Sequence, residues 1–137
     1  MFKQVDYVMV TVSDMPRSVK FYKDTLGLPL KYETKEWTEF QTGKTTLALH
    51  SGGKPSQAGA SSRDMIAGTC SVGFTVLDIE KSFRDLQSKG VRFVMPPKAR
   101  EGEGIKLAIF LDPDGLPISL SETIQRTHEA GIPAESR

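Results

Sequence analysis

Two stretches of this chain follow one pattern, and no other feature limits its fold so strongly. Val12-Ser13-Asp14-Met15-Pro16-Arg17-Ser18-Val19-Lys20 aligns with Val76-Leu77-Asp78-Ile79-Glu80-Lys81-Ser82-Phe83-Arg84. Both read Val, any residue, Asp, apolar, any, basic, Ser, apolar, basic, and each is followed at nearly the same distance by a glycine, Gly27 and Gly90. Such a repeat makes the supersecondary unit, rather than the single element, the thing to be read.

Ahead of each Asp the residues alternate. Val8, Val10 and Val12 interleave with Tyr7, Met9 and Thr11, and Val72, Phe74 and Val76 interleave with Ser71, Gly73 and Thr75. Period two in β-branched residues predicts a strand packed on one face. Beyond each Asp the spacing becomes that of an amphipathic helix, through Met15, Val19, Tyr22 and Leu26 in one copy and Ile79, Phe83 and Leu86 in the other. Asp14 and Asp78 stand where an N-cap carboxylate accepts from unpaired amides, and Gly27 and Gly90 suit the left-handed position that closes a helix.

Three further strands follow in each copy, over residues 30–34, 37–42 and 45–50, then over 91–94, 105–111 and 116–120. Thr42-Gly43-Lys44 and Asp112-Pro113-Asp114-Gly115 read as the turns before the last strands. The expected fold is α+β, with two tandem βαβββ modules, 5–50 and 70–122, in one domain over 1–122. A Gly- and Ser-rich linker spans 51–69, residues 96–104 are a second mobile candidate, and a polar tail fills 123–137.

A length of 137 residues suits one domain. Its 18 Lys and Arg are balanced by 17 Asp and Glu, scattered along the chain, so it lacks the basic stripe on which nucleic-acid or membrane-surface binding rests. One cysteine, Cys70, cannot form an internal disulfide. No stretch approaches the roughly 18 apolar residues of a membrane span, and the first residues carry no signal-peptide pattern. The expected location is cytoplasmic, with neither nucleic acid nor membrane as partner.

Two runs carry a resemblance. Ser18-Val19-Lys20-Phe21-Tyr22-Lys23-Asp24-Thr25-Leu26-Gly27-Leu28 and Phe110-Leu111-Asp112-Pro113-Asp114-Gly115, set in the tandem βαβββ pattern, resemble the vicinal oxygen chelate superfamily over nearly the whole chain. That group includes glyoxalases, bleomycin-resistance proteins and extradiol dioxygenases. The resemblance implies two modules side by side as a concave half-barrel, a divalent metal held by the first and last strands of each module, and a homodimer. It does not carry a reaction with it.

If Val8, Val10 and Val12 pack on the helix, strand parity turns Tyr7, Met9 and Thr11 into the concavity, together with Ala48 and His50, Ser71, Gly73 and Thr75, and Ser119 and Ser121. Transferred residue by residue, the family's metal positions fall on Tyr7, His50, Ser71 and Ser119. Only His50 is an ordinary divalent-metal ligand, whereas such ions take three or four His, Asp, Glu or Cys donors. The expectation is a site without the usual metal and without a cofactor. One route to a divergent metal site remains, in which a bulge in the last strand turns Glu122 inward to join His50.

The ligand-binding candidates are Tyr7, Met9, His50, Ser71, Phe110 and Ser119. His50, the one catalytic candidate, reads as the remnant of a metal site, a general base, or a hydrogen-bonding histidine lining a cavity. Glu33 and Glu39 are alternative carboxylate bases, but their strand phase is open and solvent exposure is the plainer reading. Trp37, Phe40, Phe110 and Tyr32 offer an aromatic lining for a flat or apolar ligand, or else a dimer interface. Cys70 reads as a buried, inert thiol.

Three functions follow. The first is metal-independent binding of a small, partly apolar molecule. The second is a glyoxalase-like lyase or isomerase, or a dioxygenase, with a divergent metal site. The third is a metal-free enzyme using His50 or Glu39 as a proton shuttle.

Overall fold

The computed structural model describes residues 3–54, 67 and 70–124. The first copy of the repeat forms β1 (Tyr7–Thr11), α1 (Met15–Lys20), a π-helical turn (Phe21–Thr25), β2 (Leu30–Glu33), β3 (Trp37–Thr42) and β4 (Thr45–His50). The second forms β5 (Val72–Thr75), α2 (Ile79–Ser88), β6 (Phe93–Arg100), a 3₁₀ turn (Glu101–Glu103), β7 (Ile105–Leu111) and β8 (Pro117–Thr123). Each copy makes a four-stranded mixed sheet of the same order, β1-β4-β3-β2 and β5-β8-β7-β6, with its first strand parallel to its last. The α+β pair of βαβββ copies expected from the repeat is therefore the architecture adopted.

Both helices start as the aspartates require. Asp14 and Asp78, in extended backbone, each accept from the amide three residues on, Arg17 and Lys81, at 3.1 Å. Gly27 and Gly90 end them at φ values of 79° and 87°, where a side chain would be strained. Gly27 follows Asp14 by thirteen residues, however, and Gly90 follows Asp78 by only twelve. The π-helical turn absorbs the extra residue: Leu26 N–H donates to the Phe21 carbonyl, five residues back, at 2.9 Å.

The chain divides into two compact units. One comprises the described residues up to 54 together with Asp112–Leu116, the turn between β7 and β8; the other holds the second sheet and α2. The first core is built from Val10, Val12, Met15, Val19, Tyr22, Phe40, Leu47 and Leu49, all buried. Within that unit the Tyr22 hydroxyl donates to Asp112 Oδ2 at 2.8 Å, while Asp112 Oδ1 accepts from the amides of Asp114 and Leu116 at 2.9 and 2.8 Å. Asp114 in turn accepts from the Ser13 amide at 3.1 Å, from the Ser13 hydroxyl, and from Arg17 Nη2 at 3.4 Å. Burial above all, then the charge of Asp112 and the hydrogen bond to it, pushes the Tyr22 phenol far above its usual range and keeps it neutral.

In the second unit Phe93 packs against Phe83 at 4.7 Å and Phe110 at 5.5 Å, beside the buried Ile79, Ala108, Ile118 and Leu120. Here the structure corrects the strand expectation. The stretch from Pro96 onward carries regular structure: β6 runs through it to Arg100, with register breaks between Phe93 and Met95 and between Met95 and Lys98. Pro96 and Pro97 fall in the second break, on an edge strand, where missing ladder donors cost little. β8 also continues past the expected strand end at 120 to Thr123, the first residue of the expected tail. Residues 125–137, and 55–66, 68 and 69 of the expected linker, lie outside the described residues.

Candidate functional site

Register decides which side chains of the first sheet face away from α1. Tyr7, Met9 and Thr11 lie beside Thr46, Ala48 and His50 of β4, which in turn lie beside Gln41, Glu39 and Trp37 of β3. The other face holds Val10, Leu47, Leu49, Thr38 and Phe40. It meets the helix, with Thr38 Oγ1 3.5 Å from Met15 Sδ and the Phe40 ring 6.1 Å from that of Tyr22.

Trp37 begins β3 on the face away from α1, opposite His50 at the end of β4. Its ring meets Tyr7 edge to face at 5.6 Å and His50 at 6.0 Å. Tyr7 and Trp37 rise from the two strands flanking β4, so their rings meet above it. Ala48, midway along that strand, is fully buried although it points away from the helix. The backbone of Trp37 is pinned at the β2–β3 turn, where Thr34 Oγ1 accepts from its amide and donates to its carbonyl, both at 2.9 Å.

The polar side of the group is equally defined. Trp37 Nε1 donates to Glu39 Oε2 at 2.7 Å, and Lys31 Nζ stands 3.7 Å from Glu39 Oε1 while donating to Thr46 Oγ1 at 2.9 Å. Glu39 is thus a half-buried, paired carboxylate with 27% of its side chain exposed, which corrects the expectation of a solvent-facing residue; Glu33 is exposed. His50 Nδ1 lies 2.6 Å from the Ser51 carbonyl. A carbonyl only accepts, so Nδ1 carries a proton; on the neutral ring Nε2 is then an acceptor, with no partner among the described residues.

The structure thus brings Tyr7 and His50 together through Trp37, with Met9 on the same face and 46% exposed. Ser119 lies on the face of the second sheet turned away from α2, paired with Gly73 and Ile109, and Ser71 is exposed just before β5. Phe110 does not join them. It is fully buried opposite Ile118 against Phe93, on the α2 side, and Phe40 is likewise buried on the α1 side, so neither lines an open face. Tyr32, opposite Glu39, is exposed on the outer strand, and Cys70 is exposed rather than buried.

These residues do not supply a divalent-metal site. Tyr7, Ser71 and Ser119 present neutral hydroxyls, and among the described residues no three His, Cys, Asp or Glu side chains are grouped to hold an ion. Glu122 is engaged elsewhere: the β7–β8 pairing passes Lys106 and Glu122 without a bulge, and Oε1 accepts from the Ile79 amide at 2.9 Å, at the start of α2. Lys31 and Thr46, which complete the Glu39 group, escaped the sequence reading. A β2–β3 register shift between Leu30 and Tyr32 brings Lys31 to this face, and no local pattern announces it.

No helix among the described residues is long and apolar enough to cross a membrane. The chain is similar to an uncharacterized protein, YraH, of Bacillus subtilis, with 31% identity over 113 residues, 78% of this chain and 88% of that one. It is also similar to a probable lactoylglutathione lyase of Synechocystis, with 28% identity over 126 residues, 85% of this chain and 93% of that one. A glyoxalase family protein from Enterococcus faecalis shares the fold with a TM-score of 0.73 at 23% identity, covering 88% of this chain and 98% of that one. The family model matches residues 4–120. With its paired βαβββ copies, the chain belongs to the Glyoxalase/Bleomycin resistance protein/Dioxygenase superfamily.

Proposed function

We propose that this protein captures a small, partly apolar molecule on the face of its first sheet turned away from α1, without a metal. The observation that carries the reading is the grouping of Tyr7, Trp37 and His50 at ring contact beside the Glu39–Lys31 pair. Aromatic walls with a few fixed polar groups suit such a ligand, and Tyr7 and Met9 still offer exposed apolar surface, at 51% and 46%. The protein would work in the cytoplasm as a homodimer. The sheet edge at β1 and the exposed Val5 beside it favour self-association.

Small molecules extracted from natively purified protein and identified by mass spectrometry test the reading. A stoichiometric compound retained by the wild type and lost from Trp37→Ala supports it; equal recovery from both removes its basis. Sedimentation at micromolar concentration giving the monomer mass would count against the dimer.

The similarity to a probable lactoylglutathione lyase favours a second reading, a lyase or isomerase. Turnover of lactoylglutathione together with stoichiometric metal in untagged protein, both lost in His50→Ala, would establish it over metal-free capture.

A further inference from the structure

Resting on that reading of the first-sheet face, we infer the class of molecule it takes: an uncharged, planar compound that donates one hydrogen bond to His50 Nε2. Three observations lead there. The strand residues of this face include two charged side chains, Lys31 and Glu39, and these stand 3.7 Å apart, so the face carries no net charge for an ion to complement. An anion drawn to Lys31 meets the Glu39 carboxylate within the same few ångströms. A cation drawn to Glu39 meets Lys31.

Each member of the pair also has an internal hydrogen-bond partner. Glu39 Oε2 accepts from the Trp37 indole, and Lys31 Nζ donates to Thr46. On the neutral ring Nε2 of His50 is an acceptor without a hydrogen-bond partner among the described residues, because the other nitrogen donates to the Ser51 carbonyl. A ligand hydroxyl or N–H satisfies that acceptor, whereas a carboxylate cannot. The edge-to-face contacts of Trp37 with Tyr7 and His50 present flat aromatic surface beside it, which favours a planar body.

The matched probes are naphthalene, naphthol and naphthoate at neutral pH: one shape, presented without a polar group, with a neutral donor and with an anion. The chain has a single tryptophan, so the indole N–H of Trp37 gives one assigned NMR signal at the site. Naphthol should bind about 5-fold more tightly than naphthalene, the ratio expected of one hydrogen bond of about 1 kcal/mol, with naphthoate weakest. His50→Leu, at an exposed position, should bring the naphthol-to-naphthalene ratio close to one. Naphthoate binding most tightly, with that preference lost in Lys31→Met, would overturn the inference while leaving a small-molecule site in place. No movement of the Trp37 signal with any of the three would overturn the site itself.

Discussion

The phenol of Tyr22 and the carboxylate of Asp112, ninety residues apart, meet in a buried hydrogen bond of 2.8 Å. The two runs that most resemble the family are therefore in contact. One supplies Tyr22 ahead of the Leu26-Gly27-Leu28 helix end, and the other supplies the Asp-Pro-Asp-Gly turn. Asp112 accepts from Tyr22 and from two amides of its own turn.

Tyr22→Phe keeps the ring but strips one donor from a buried carboxylate. The expected loss is about 1–3 kcal/mol of unfolding free energy in urea, with the fold retained. A change below about 0.3 kcal/mol would mean that water replaces the hydroxyl at Asp112.

The same phenol predicts an alkaline limit. Its proton is held in the folded state well above the ordinary range, so above about pH 10 the unfolded chain binds fewer protons than the native one. Stability contributed by Tyr22 is complete below that pH and declines as pH rises through it, by up to about 1.4 kcal/mol per unit. The slope is read as the difference between wild type and Tyr22→Phe, in which the exposed tyrosines and the lysines cancel. Parallel curves above pH ~10 would contradict it.

Ser18 is fully buried on α1, and its hydroxyl has no hydrogen-bond partner among the described residues. Ser18→Ala removes that burial cost and adds helix propensity, so thermal unfolding should show a gain of about 0.5–1 kcal/mol.

Gly53 lies against the end of β1, its amide donating to the Val12 carbonyl at 3.0 Å. An added Cβ would come within 2.6 Å of Thr11 Cγ2. Gly53→Ala should cost about 1–3 kcal/mol through overpacking, and Thr11→Ser, which removes that methyl, should recover most of it in a double-mutant cycle.

Much of the site was countable from the sequence. Once β3 and β4 are joined at Thr42-Gly43-Lys44, pairing outward from Thr42 and Thr45 sets Trp37 opposite His50 and Glu39 opposite the inward-facing Ala48. The phase left open for Glu39 was therefore already contained in the turn. The same count around Asp112-Pro113-Asp114-Gly115 sets Phe110 opposite Ile118 and so on the helix side. Parity along single strands put Tyr7 and His50 on the face away from α1 because the valines of β1 mark the packed face. Lys31 was not readable, since a bulge breaks the alternation on which parity depends. Neither was the Tyr22–Asp112 bond, because a helical Tyr and a turn Asp each have a sufficient local explanation.

The turn at Asp112–Leu116 finally bears on the order in which the protein is made. It belongs to the compact unit built from the N-terminal residues, yet it is translated after all of β7. The first sheet can assemble on the ribosome, but Tyr22, Ser13 and Arg17 must wait for partners that emerge only when most of the chain has been synthesised. A contact of such long sequence separation slows the final folding step and ties completion of the first half to arrival of the second. The N-terminal copy of the repeat, cut out alone, is thus an unfinished unit.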